Sequence, residues 1–101
     1  MGTPHLLGYH HEMGSFMGGS AYAMASQISE GFLLITERTF QRMQLSEIDQ
    51  LAFEIEKRTR EIRSDQPDLE DTQALQTRNR KLMRLTQATQ MLNFHKQKRR
   101  R

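Results

Sequence analysis

The sequence predicts an all-α protein: a long antiparallel helical hairpin of coiled-coil character, assembling as a dimeric four-helix bundle. Three observations lead there. Apolar residues recur at helical spacing along two long stretches. One proline-centred break separates those stretches. More large apolar residues are present than a single two-helix seam can bury.

Residues 1–25 read as a flexible tail. They hold five of the six glycines, three of the four histidines and no Lys or Arg. No helical or strand period persists in them. Met24-Ala25-Ser26 resembles a natural start, so residues 1–23 are open to reading as an added extension.

Residues 26–97 form the hairpin. The run Phe32-Leu33-Leu34-Ile35 is too short for periodicity to separate helix from strand. The helical reading aligns Leu33, Thr36, Phe40 and Met43; Gly31, Ile35, Thr36 and Thr39 favour a strand. The helical reading is adopted, because the second helix needs a partner reaching back to about residue 35. Over 45–64, Ile48, Leu51, Ile55 and Ile62 make a clear stripe, with Arg58 at its polar step. Glu54–Arg58 and Glu56–Arg60 are i,i+4 pairs in the favourable order. Ser46-Glu47 suits a helix start, or else a solvent-facing point on one continuous helix.

The turn is placed at 64–68. Pro67 lacks a backbone donor and suits the first position of a new helix, and Asp68, Glu70 and Asp71 suit its positive end. The second helix carries Leu75, Leu82, Leu85 and Leu92, widened by Ala74, Ala88 and Met91. Reflection about Gln66 sets Ile62 near Leu69, Leu51 near Leu82, Ile48 near Leu85 and Phe40 near Leu92. It also sets Arg78 opposite Glu54. Residues 98–101 are a basic tail. In architecture alone, the hairpin with its Asp65-Gln66-Pro67-Asp68 turn resembles small helical-hairpin proteins such as secretion-needle subunits and Rop-like RNA-binding dimers. It carries no diagnostic motif of either.

Phe32, Leu34, Phe40, Phe53, Met83, Met91 and Phe94 cannot all sit in one seam. They are assigned to a dimer or partner interface. The acidic flank of the first helix (Glu47, Glu54, Glu56, Glu61) suits the basic second helix of a partner copy.

Charge is the strongest pointer to function. From Thr72 onward there are nine basic residues and no Asp or Glu; the first 71 residues hold six basic and all twelve acidic residues. Arg80, Lys81, Arg84, Lys96, Lys98, Arg99, Arg100 and Arg101 form the expected anion-binding set, with nucleic acid as the leading partner. No aromatic residues interleave for base stacking, so contacts would go to the backbone. An anionic membrane surface, an acidic protein or nuclear import are other uses of such a tail. The bland reading is a solubilising tail, with Arg80, Lys81 and Arg84 paired to acidic residues of their own chain.

No catalytic, metal or cofactor residues are expected. There is no cysteine, which excludes disulfides and thiolate ligands and is compatible with a reducing compartment. His10-His11-Glu12, with His5 nearby, has ligand types without the spacing of a fixed site. No nucleophile–base set or phosphate loop is visible. No apolar run approaches the ~18 residues of a membrane span, and no secretory signal is present. The expectation is a cytoplasmic, non-enzymatic binding protein. The alternative is an adaptor or chaperone-like module that takes a partner helix on its apolar stripe.

Overall fold

The computed structural model describes Phe16 and residues 19–99. The histidines of the N-terminal tail, Arg100 and Arg101 lie outside the described residues. The described chain is all-α: α1 (Ala21–Glu30), α2 (Glu37–Gln41), α3 (Leu45–Ser64) and α4 (Thr72–Arg99). α1 packs against both α3 and α4, those two pack on each other, and α2 rests on α4.

α1 corrects the tail boundary at residue 25. Ser20 caps the helix by accepting the Ala23 N–H at 3.1 Å. Ala21, Met24, Ala25 and Ile28 then form a buried stripe. A boundary at 25 cuts that stripe in half and hides it. Gly31 ends the helix at φ +84°, and the Phe32 N–H returns to the Gln27 carbonyl at 2.9 Å. A Cβ on Gly31 would also lie 2.9 Å from Arg84 Cζ. The backbone conformation therefore favours glycine here, and any side chain would also displace the Arg84 guanidinium.

The continuous first helix expected through 32–44 is broken twice. After Gly31 the chain lacks helical structure over 32–36. α2 then starts after the capping residue Thr36, whose N–H donates to Thr39 Oγ1 at 3.3 Å. A second break precedes α3, where the Gln44 N–H donates to Glu47 Oε1 at 2.7 Å. Glu47 thus marks a true helix start. The strand alternative fails as well, for no strand occurs among the described residues.

The second helix starts later than expected. Asp71 caps α4 by accepting the Ala74 N–H at 3.0 Å, while Asp68 folds the turn by accepting the Glu70 N–H at 3.0 Å. Pro67 therefore sits in a connection over 65–71, not at the first helical position. The longer connection slides the register. Lys96 reaches Asp49 at 2.7 Å, where reflection about Gln66 puts Met83. Arg78 donates to the Arg63 carbonyl at 3.3 Å and not to Glu54. Leu69 is left in solvent, 80% exposed.

The core is one cluster. Ile48, Leu51, Ile55 and Ile62 of α3 and Leu85, Ala88 and Leu92 of α4 meet Met24, Ala25 and Ile28 of α1, together with Ile35, Phe40 and Met43. Each large side chain buried there contributes about 1.5–3 kcal/mol relative to exposure. α1 thus covers, within one chain, apolar surface that a two-helix reading leaves for a partner.

Candidate interaction surfaces

Most of the expected anion-binding residues are turned onto their own chain. Lys81 Nζ reaches Glu30 Oε2 at 3.0 Å, and Arg58 joins the same oxygen at 3.4 Å. Arg84 donates to the Ser29 carbonyl at 2.9 Å. These three cations clasp the C-terminal end of α1, where the helix dipole is negative. The hydrogen bond from Lys81 holds the Glu30 carboxyl below the usual carboxylate range, and the charges of Lys81 and Arg58 add to it against the opposing effect of burial.

A second clasp holds α2. His95 is buried on α4, with its Nδ1 2.7 Å from Glu37 Oε2 and Lys98 Nζ 3.3 Å from the same oxygen. An ionised carboxylate requires a donor, so Nδ1 carries the proton. His95 Nε2 is buried with no hydrogen-bond partner among the described residues. The ring sits 5.6 Å from that of Phe40. Arg99 donates to the Phe40 and Met43 carbonyls at 2.8 and 2.7 Å, closing the end of α2. The hydrogen bond from His95 lowers the Glu37 carboxyl first, with Lys98 adding to it and desolvation opposing.

Lys96 is paired with Asp49, as above. Of the eight residues expected to bind anions, Lys81, Arg84, Lys96, Lys98 and Arg99 thus have intramolecular partners. Arg80 is exposed and has no ion-pair partner among the described residues. Of the pairings with acidic residues expected for Arg80, Lys81 and Arg84, Lys81 makes one, with Glu30 of α1 and not with α3; Arg84 meets a backbone carbonyl instead.

The expected apolar interface divides. Phe40 is fully buried in the chain's own core and so is not free for a partner, while Met91 packs half-buried against that core. Phe32, Leu34, Phe53, Met83 and Phe94 are exposed. They do not form one stripe. Phe32 and Leu34 project from the segment after α1. Phe53 stands beside a groove of about 580 Å³ between α3 and α4, lined by Ala52, Thr59, Thr86, Thr89 and Leu92, with Asp49, Glu56 and Lys96 also lining it.

That groove was missed in the sequence. Its signal is the small residues: Ala52 and Thr59 are seven apart on α3, and Thr86 and Thr89 are three apart on α4. Read alone, each is only a polar or neutral step beside an apolar stripe. The Glu30 and Glu37 clasps were missed because α1 and α2 were not resolved as separate helices.

No helix among the described residues is long and apolar enough to cross a membrane. No protein-family model, curated protein or solved structure matches the chain.

Proposed function

We propose that this chain is a non-enzymatic helical interaction module that receives a helix in the groove between α3 and α4. The open groove, with Phe53 beside it, carries this reading. α1 supplies the third helix of a bundle whose fourth position is unfilled, and the small side chains of the groove let a helix backbone approach closely. The simplest occupant is a second copy, giving a two-fold dimer packed through Phe53 and the groove beside it. The pairing of Lys81, Arg84, Lys96, Lys98 and Arg99 within the chain lowers the support for an anion-binding role of the same residues.

Sedimentation equilibrium tests this. The parent chain is expected to run as a dimer at micromolar concentration, and Phe53→Asp as a monomer with unchanged helical circular dichroism. A monomeric parent removes the second copy as occupant. Loss of fold in Phe53→Asp moves the test to Thr86→Glu, on the facing wall of the groove.

One observation favours a second reading, phosphate-backbone binding. The exposed face of α4 carries Arg80 and Lys98, and no Asp or Glu occurs anywhere in that helix. Fluorescence anisotropy with duplex DNA and single-stranded RNA across a salt series checks it, comparing the parent with Arg80→Glu and with a chain ending at Arg99. Truncation earlier than Arg99 would remove the cap on α2 and confuse unfolding with lost binding. Affinity that falls steeply with salt in the parent and flattens in the variants supports this reading; no binding at low salt ends it.

A further inference from the structure

Phe32 and Leu34 are the most exposed large apolar side chains among the described residues, at 81% and 84%. Their position is built into the backbone. Leu33 and Ile35 turn inward, half-buried and buried, so alternation holds Phe32 and Leu34 outward. Gly31 anchors one side of the segment and Thr36 caps α2 on the other. The two side chains form a ridge. The adjoining cleft of about 180 Å³ is too small to take a helix.

The unpaired charges that flank this segment are basic. The flanking carboxylates, Glu30 and Glu37, are both consumed by the chain's own cations. Arg84 lies against Gly31 and lines the same cleft as Leu33 and Leu34. Arg80 is one turn back on the same face of α4, and Arg38 lies in the first turn of α2. Arg38 and Arg80 are exposed and have no ion-pair partner among the described residues.

We propose that this edge docks peripherally on an anionic lipid surface. Phe32 and Leu34 enter the boundary between headgroups and acyl chains, while the exposed Arg38 and Arg80 meet lipid phosphates. A bilayer accepts a protruding apolar ridge without offering a matching cavity. An acidic protein partner would have to supply that cavity itself, and the ridge offers little recess for such a partner's own side chains. The surface is separate from the α3–α4 groove and does not depend on what fills that groove.

The chain contains no tryptophan, so Phe32→Trp places a single reporter at the ridge. Vesicles of phosphatidylcholine alone are compared with vesicles containing roughly one-third phosphatidylserine, at low and high salt. The expected result is a blue-shifted reporter emission with the anionic vesicles only, weakened by salt. In co-sedimentation, the combined Phe32→Ser and Leu34→Ser variant should lose roughly tenfold or more in vesicle affinity. Both positions are solvent-exposed, so the fold should hold, and circular dichroism checks it. Arg38→Gln with Arg80→Gln should weaken binding without abolishing the blue shift at high lipid.

Three results overturn the proposal. One is no binding to anionic vesicles at low salt. Another is binding that ignores the Ser variants, which would place the contact in the C-terminal basic cluster. The third is binding to poly-glutamate that depends on Phe32 while vesicles show none, which would make the occupant an acidic chain.

Discussion

α1 and α2 are both short helices docked on α4, and α4 holds each by the same means. Each presents a glutamate clasped by cations, and each has an arginine of α4 on carbonyls at its C-terminal end. They differ in what lies beneath. α1 spans ten residues and buries Ala21, Met24, Ala25 and Ile28. α2 spans five and buries Phe40 alone. Apolar burial thus carries α1, with its polar clasp setting the angle. α2 leans on the clasp itself, because one turn of helix is too short to stand on its own hydrogen bonds.

The strongest way to break this contrast is Met24→Ala. Met24 is fully buried, and its truncation should cost about 2–5 kcal/mol of global stability, read from the urea midpoint. A loss under about 1 kcal/mol would mean α1 is dispensable to the core.

Arg99→Ala should act differently. It leaves the Phe40 and Met43 carbonyls without their charged donor, an effect of about 1.5–3 kcal/mol. The loss should be local: hydrogen-exchange protection falls at Thr39 and Met43 and persists through α3. A uniform loss across α3 would show that α2 is as integral as α1.

Gly31→Ala sharpens the α1 side. A left-handed backbone at a residue with a Cβ costs about 1–2 kcal/mol, and displacement of Arg84 adds to it. The thermal midpoint should fall, and less than for Met24→Ala.

The clasps predict a modest pH dependence. Both glutamates are held below their ordinary value of 4.5. Their pairs therefore stabilise above that value and are lost as pH falls through the lowered values of the folded state. A Glu30→Gln, Glu37→Gln variant should melt below the parent at neutral pH, and the gap should close on acidification. A gap that widens in acid would reverse the assignment. Glu56→Gln, which removes the exposed pair with Arg60 at 3.5 Å, should change stability by less than about 0.5 kcal/mol.

The hairpin was legible because its signals are local. Ile48, Leu51 and Ile55 recur at helical spacing, and Pro67 stands at the break. α1 was not, since Ala, Met and Ser make a low-contrast stripe that follows a glycine-rich tail. Arg58 was visible as a polar step in its stripe, and Arg78 and His95 as polar residues of the second helix. Their partners were not, because Glu30, the Arg63 carbonyl and Glu37 come from elements whose docking is a tertiary matter. Phe40 was read both into the seam near Leu92 and into a partner interface, because two helices alone do not enclose it. Arg84 and Lys81 looked free because charge counts show sign and position but not which carboxylate or carbonyl lies across the gap.

The bond from Arg84 to the Ser29 carbonyl has a consequence for how the chain is made. α1 leaves the ribosome first, yet its clasp includes Lys81 and Arg84, more than fifty residues later. At about 5–20 residues per second the helix waits several seconds for those residues to be synthesised. During that interval Met24 and Ile28 have only α3 to cover them. Assembly thus runs against the direction of synthesis, with the last helix completing the first. A nascent chain halted before α4 should be the species most readily captured by a chaperone.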